Sequence, residues 1–268
     1  NKEMPQNGHK DFKVLKKKYA KGQELRGKTL GIVGFGRIGQ AIASYALGAG
    51  MDVKAVDLNT NPVAVPVQIG TAKTVSVSIT PTDDMNSILG DCDYISLHVP
   101  KQPDGSAVMT ASTFEKLKDG VILVNAARGG VIDEDLWEKT KTKANVIDCW
   151  VDEPNINSKL QSSAYWATPH IAGHSIDAKF MGSYMIYKDL CSFTKSPLKS
   201  EVEHLINPVT VNINENTLHE TLNAIYPFID DHLAIKNILK FEDYRRNYPD
   251  RFEWRHFKTR FDIPQAKK

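Results

Sequence analysis

Apolar positions in this chain come in short runs separated by glycine, proline and polar clusters, and the spacing switches repeatedly between a period of two and a period of three to four. The run ahead of Gly34, "TLGIVG", is apolar and β-branched and predicts a buried strand over Leu30–Val33. A glycine turn follows, then apolar residues at helical spacing predict a helix from Ile38 to about Ala49. Gly50 ends it, and a second strand is expected over Val53–Val56. The segment "LNTNPVAVPVQIGTAKTVSVSITP" is rich in proline and glycine before it alternates through Val75, Val77 and Ile79, which predicts a loop and one modest strand. "TDDMNSILGDCD" predicts a short helix capped by Asp83 or Thr82, with Ile88 and Leu89 facing inward.

The alternation continues. Tyr94 to Pro100 reads as a strand stopped by proline, "ASTFEKLKDG" as a helix, Val121 to Ala126 as a strand, "DEDLWEKTKTK" as a helix and "VIDCWVDEP" as a strand. Strands and helices in this order predict an α/β fold with a parallel, doubly wound sheet of the Rossmann type, whose ligands sit at the carboxyl ends of the strands. The tail predicts a strand over Val209–Ile213, a helix starting near Glu215, a polar connector, a short helix around Phe241–Asn247 and a last strand. Eight aromatic residues between Tyr226 and Phe257 imply that this tail packs as a small α+β unit, with a subunit contact as one place for it.

Composition narrows the class. With 268 residues, 41% hydrophobic and 25% charged, there is material for one large or two smaller globular domains. A net charge of +2 argues against nucleic acid as the main partner, and the basic run Lys13–Lys21 reads as a solvated helix face or linker. The three cysteines, Cys92, Cys149 and Cys191, are isolated and lack CxxC spacing, which fits a reducing cytoplasm and offers no metal site. No signal peptide and no apolar run of about 18 residues is present, so a protein without a membrane partner is expected. The first residue is Asn1 rather than methionine, which leaves open where the natural protein starts.

Two nucleotide-binding patterns overlap between Lys21 and Gly39. Gly22 followed by Gly27-Lys28-Thr29 satisfies the P-loop expression, but a P-loop leaves a strand and opens a helix. Here Lys28 runs into a strand, so the match is accidental. Gly34-x-Gly36-x-x-Gly39 has the required surroundings: strand, turn, helix, second strand and then Asp57, 18 residues after Gly39. In such a unit the glycines form the turn, admit a pyrophosphate and let helix and strand approach, while the aspartate accepts from the adenosine ribose hydroxyls and favours NAD over NADP.

Polar residues follow the other apolar runs: His98-Val99-Pro100, Arg128-Gly129-Gly130, Asp152-Glu153-Pro154 and Pro169-His170. With "LRGKTLGIVGFGRIGQ", "LHVP", "VNAARGGVIDE", "DCWVDEP" and "TPHIAGHS" in this order, the chain resembles the D-isomer-specific 2-hydroxyacid dehydrogenases from Leu25 to about Lys195. The resemblance implies interconversion of a D-2-hydroxy acid and its 2-oxo acid with NAD as cofactor. It implies that His170 is the acid/base, that Glu153 is its partner and that Arg128 orients the substrate. The chemistry agrees, because an imidazole can give and take a proton near neutral pH, a carboxylate stabilises the imidazolium, and a guanidinium fork suits a substrate carboxylate. It further implies an NAD site of Gly34, Gly36, Arg37, Ile38, Gly39, Asp57, His98, Val99, Pro100 and Ala126, with Asp148 at the nicotinamide carboxamide.

Within the family, the amino-terminal half is most similar to phosphoglycerate dehydrogenases. "HIAGHSIDAKFMG" and the tail, including "FEDYRRNYPDRFEW", resemble the erythronate-4-phosphate dehydrogenases of pyridoxine (vitamin B6) synthesis and their C-terminal dimerisation domain. The favoured substrate is therefore 4-phosphoerythronate and the expected assembly a homodimer. The alternatives are 3-phosphoglycerate or hydroxypyruvate/glyoxylate as substrate, and an NAD-responsive binding module without catalysis. The expected organisation is a connecting segment over 1–25 left from a substrate domain, an NAD-binding domain over 26–173, a long helix over 174–200 and a small C-terminal domain over 201–268. Family members carry a further stretch before this chain's first segment, and the interval Asp133–Asp148 is a few residues shorter than theirs.

Overall fold

A computed structural model describes residues 24–69, 73–140, 142–198, 211–214 and 217–259. Gly22, the basic run Lys13–Lys21, most of the connecting segment and the start of the carboxy-terminal domain lie outside the described residues. The first unit forms as its apolar pattern requires: β1 (Thr29–Val33), α1 (Arg37–Gly48) and β2 (Asp52–Val56), the two strands parallel with Thr29 opposite Asp52 and Val33 opposite Val56. Lys28 enters β1 and its ammonium lies 3.6 Å from Asp93, so the residues of the P-loop match lead into a strand and not into a helix.

The chain then makes an antiparallel pair, β3 (Val63–Ile69) with β4 (Lys73–Ile79), where only a loop and one strand were expected. Val65 and Val67 are buried and the intervening Pro66 faces outward opposite Ser76, so the ring meets solvent and the alternation survives. This pair covers α1, whose Ala43 and Ala46 pack with Val65, Val67 and Ile79 in one apolar cluster. The turn of α2 (Asn86–Leu89) buries Ile88 and Leu89 as expected, but Asp84 supplies the carboxylate that accepts from the Asn86 N–H at 3.0 Å. Thr82 instead accepts from the Asp84 N–H, and the cap position falls on Met85, because the helix begins two to three residues later than the sequence suggested.

Next come β5 (Tyr94–Leu97), the single turn α3 (Ala111–Phe114), β6 (Ile122–Asn125), α4 (Glu134–Lys139), β7 (Ala144–Ile147), α5 (Ser158–Ser163) and β8 (Trp166–Ala167). The strands end earlier than expected, β6 before Ala126 and β7 before Asp148, so the polar residues after them belong to loops. The six strands form one parallel sheet in the order β2-β1-β5-β6-β7-β8, which places the carboxyl ends of all of them along one edge.

The long helix is α6 (Ile176–Thr194), capped by Ser175 accepting from the Ala178 N–H. Beyond it lie β9 (Val211–Ile213), α7 (Leu218–Ile225), α8 (Phe228–Ala234), α9 (Phe241–Arg246) and β10 (Phe257–Thr259), with β10 parallel to β9. The expected polar connector is thus occupied by α8. Asp230 and Asp231 in its first turn suit the helix dipole. The tail packs directly on the sheet edge. Ile235 and Phe241 are buried in the same cluster as β5, β6 and β7, Phe228 and His232 meet the Trp166 ring edge-on, and His232 Nδ1 accepts from the Ala167 N–H at 3.0 Å. That last bond satisfies a donor that edge strand β8 would otherwise present unpaired. Burial of Phe241 alone contributes about 1.5–3 kcal/mol.

Candidate active site

The glycine turn after β1 is shaped for a phosphate-bearing ligand. Gly34 has φ +95°, and a Cβ on it would sit 2.6 Å from the His98 carbonyl oxygen, so only glycine fits between the ends of β1 and β5. A Cβ on Gly39 would sit 2.2 Å from the Gly34 carbonyl oxygen, which is the close helix-to-turn approach expected of the third glycine. At Gly36 a Cβ would meet nothing within 4 Å. Gly36, Arg37 and Ile38 are exposed and no side chain caps α1, so its first N–H groups face open space, where an anion finds both donors and the positive end of the helix dipole.

Asp57 follows β2 and turns back to this loop, its Oδ2 accepting from the Phe35 N–H at 2.6 Å and its Oδ1 from the Asn59 N–H at 3.0 Å. His98 and Val99 lie against Gly34, and the His98 ring is hydrogen-bonded through Nε2 to Ser96 Oγ at 2.9 Å. Burial holds His98 below the usual histidine range, so it is neutral at pH 7. Pro100 and Ala126 are exposed beside these strand ends. The residues present therefore fit a dinucleotide along the sheet edge.

A histidine–glutamate pair forms across the loops after β7 and β8. His170 Nδ1 lies 2.8 Å from Glu153 Oε2 and 3.1 Å from Oε1, and the Trp150 N–H donates to Oε1 at 2.8 Å. Burial opposes ionisation of Glu153, but the His170 and Trp150 hydrogen bonds, with the charges of His170 and Arg245, outweigh it and hold the carboxyl below its ordinary range. An ionised carboxylate only accepts, so Nδ1 carries the proton and Nε2 is the ring nitrogen that Glu153 does not engage. Arg128 is exposed on the loop after β6, and one of its guanidinium N–H groups donates to the Ala127 carbonyl at 2.6 Å. Its loop is tied to the Glu153 loop by Asn125, whose Nδ2 donates to the carbonyls of Arg128 and Cys149 at 3.0 and 3.2 Å.

Asp148, expected at the nicotinamide, is engaged by the His170 loop. Its Oδ1 accepts from the Ile171 N–H at 2.8 Å and the Thr168 hydroxyl at 2.7 Å, and its Oδ2 accepts from the Ala172 N–H at 2.9 Å. Cys149 is buried, and burial with the nearby Asp148 and Glu153 charges pushes its thiol up, so it packs and does not react. Sequence reasoning missed Asn125, Trp150 and Thr168. The polar end of "VILVN" was the visible signal for the first; the other two act through a backbone N–H and a side chain at a strand end, which carry no spacing rule. It also missed Glu134, whose Oε1 accepts from the Val151 N–H at 2.7 Å and whose carboxyl burial pushes up to about 7. Among the described residues no group of three or more His, Cys, Asp or Glu could hold a metal ion, and no helix is long and apolar enough to cross a membrane.

The chain is similar to known proteins over most of its length. The chain is 44% identical over 243 residues to the erythronate-4-phosphate dehydrogenase of Ruthia magnifica subsp. Calyptogena magnifica, covering 89% of this chain and 66% of that protein. It is 39% identical over 171 residues to the hydroxypyruvate reductase of Thermotoga maritima, covering 61% of this chain and 52% of that protein. The chain thus spans about two thirds and about half of the lengths of these relatives. Among solved structures, D-lactate dehydrogenase from Aquifex aeolicus in complex with NAD and lactic acid superposes with a TM-score of 0.51 at 25% identity, over 69% of this chain and 60% of that one. Residues 3–172 match the model of the D-isomer specific 2-hydroxyacid dehydrogenase NAD binding domain, and the chain belongs to that family.

Proposed function

We propose that the protein interconverts a D-2-hydroxy acid and its 2-oxo acid with NAD, and that the acid is phosphorylated, with 4-phosphoerythronate favoured. The observation that carries this is the His170–Glu153 pair, 2.8 Å apart, on the same sheet edge as the open Gly34–Gly39 turn. Gly34, Gly36, Arg37, Ile38, Gly39 and Asp57 would hold the adenosine and pyrophosphate, with His98, Val99, Pro100, Ala126 and Asp148 towards the nicotinamide. NAD, when bound, supplies the hydride chemistry. The chain's own residues do the rest. Glu153 fixes the His170 ring with Nδ1 protonated, so that Nε2 takes the hydroxyl proton during oxidation and returns it to the carbonyl oxygen during reduction. Arg128 swings its planar fork from the Ala127 carbonyl to the substrate carboxylate.

The phosphorylated four-carbon acid is favoured because the match to the Ruthia protein covers 89% of the chain, a span that needs the carboxy-terminal segment as well as the NAD-binding domain. The resemblance of the tail to the erythronate-4-phosphate dehydrogenases favours a role in pyridoxine biosynthesis and a homodimer, and the isolated cysteines Cys92, Cys149 and Cys191 favour a cytoplasmic location. The second reading is hydroxypyruvate, which the Thermotoga match favours, or glyoxylate or 3-phosphoglycerate, which the resemblance of the amino-terminal half leaves open. The test is His170→Ala in the protein expressed from its complete reading frame. Turnover should fall by about 10²-fold or more while NADH affinity holds. Full turnover in the variant would remove His170 from the chemistry, and an inactive parent that binds NADH would favour the binding module.

A further inference from the structure

His170 adopts φ +57°, a left-handed conformation that a non-glycine residue keeps only where its surroundings fix it. Two sets of bonds do so. Asp148 accepts from the N–H groups of the next two residues, Ile171 and Ala172. Arg251, from the carboxy-terminal segment, donates through Nη2 to the carbonyls of those same two residues at 3.1 and 3.3 Å, and through Nε to the His174 carbonyl at 3.5 Å. Arg251 is itself fixed. Its guanidinium lies 4.2 Å from the centroid of the Tyr226 ring, and its own carbonyl accepts from the Ile176 N–H at 2.9 Å, where α6 begins.

The attachment continues along the tail. Ser175 Oγ donates to Glu253, the Glu253 N–H donates to Asp177 Oδ2 at 2.9 Å, and the buried Asp177 meets His256 Nε2 at 2.8 Å. Every described residue from 251 to 256 that bonds across to 171–177 therefore bears on the segment that follows the catalytic histidine.

We propose that Arg251 is a positioning residue for His170: by holding the carbonyls of Ile171, Ala172 and His174 it makes the orientation of the imidazole depend on the carboxy-terminal segment. The proposal rests on His170 being the proton-handling group. It gives the tail a part in catalysis through the backbone, with no contact to substrate required, and it explains why this segment packs on the NAD-binding domain instead of standing apart.

The experiment compares Arg251→Met and Arg251→Lys with the parent, each as the full chain. In Arg251→Met the kcat for the 2-oxo acid should fall by about 10–100-fold, as expected for a reacting group displaced by a fraction of an ångström to one ångström. KM and the Kd for NADH should stay within about twofold, because neither binding site is touched. Guanidinium ion, added well below denaturing concentration, should restore at least part of kcat in the methionine variant and none in the parent. Arg251→Lys keeps the charge without the fork, should lie between the two, and serves if the methionine variant does not fold. Parent-like kcat in Arg251→Met overturns the proposal, as does a loss in which kcat and NADH affinity fall together without guanidinium rescue. If the parent turns over no 2-oxo acid, the enzymatic reading fails separately. The imidazole ¹⁵N spectrum then decides: a slowly exchanging His170 Nδ1–H line that is lost in Arg251→Met supports the clasp, and the same line in both proteins overturns it.

Discussion

Asp148→Asn probes how much the loop of His170 depends on one carboxylate. Asp148 is buried, and its two oxygens take three N–H or O–H donors, the N–H groups of Ile171 and Ala172 and the Thr168 hydroxyl, besides the weak Cys149 thiol at 3.8 Å. Asparagine is nearly isosteric but offers one oxygen and an NH₂ group. With the oxygen at Oδ1 it keeps Ile171 and Thr168 as neutral hydrogen bonds, and its NH₂ then faces the Ala172 N–H, donor against donor. Leaving that buried donor unpaired costs about 1–3 kcal/mol, and replacing two charge-assisted bonds by neutral ones costs roughly 1 kcal/mol more. The expected loss is about 2–4 kcal/mol of unfolding free energy, read by urea titration at pH 7 without NADH, with a fall of roughly 5–15 °C in Tm. The opposite flip faces the NH₂ against two donors and is worse, so the first orientation sets the loss. A variant within about 0.5 kcal/mol of the parent would refute the reasoning, because surface changes of no structural consequence fall in that range.

Burial pushes Glu134 up to about 7 from an ordinary 4.5, so the folded state binds a proton that the unfolded chain releases, and stability falls as pH rises from about 4.5 to about 7. The loss at this residue is roughly 3 kcal/mol, and Glu134→Gln should flatten that part of the profile in urea titrations at pH 5 and pH 8. Gly36→Ala and Gly39→Ala should separate binding from folding. The first has open space and keeps its Tm but weakens NADH binding by about tenfold or more, whereas the second meets the Gly34 carbonyl and loses about 2 kcal/mol or more of stability. Fluorescence titration with NADH and thermal melts read the two effects.

The β1–α1–β2 unit was legible because each of its rules is local: an apolar run, a fixed glycine spacing and an aspartate at the next strand end. Placement of Glu153 and His170 on neighbouring loops was legible because parallel strands bring their carboxyl ends together whatever lies between them. The β3–β4 pair was not, since Pro66 breaks a strand on paper and is harmless when it faces solvent. Helix α8 was hidden by its acidic and polar surface, although the acids sit where a helix start favours them. Arg251 had no signature at all: it is 80 residues from Ile171 and acts on backbone carbonyls, which every sequence has.

The most direct test is NADH consumption by the protein from its complete reading frame, offered the 2-oxo acids of 4-phosphoerythronate, 3-phosphoglycerate and glycerate side by side. Oxidation of NADH with a clear preference for the first is the predicted result, and it should be abolished by His170→Ala. NADH binding without turnover of any of the three would contradict the account and leave a binding protein built on a dehydrogenase fold.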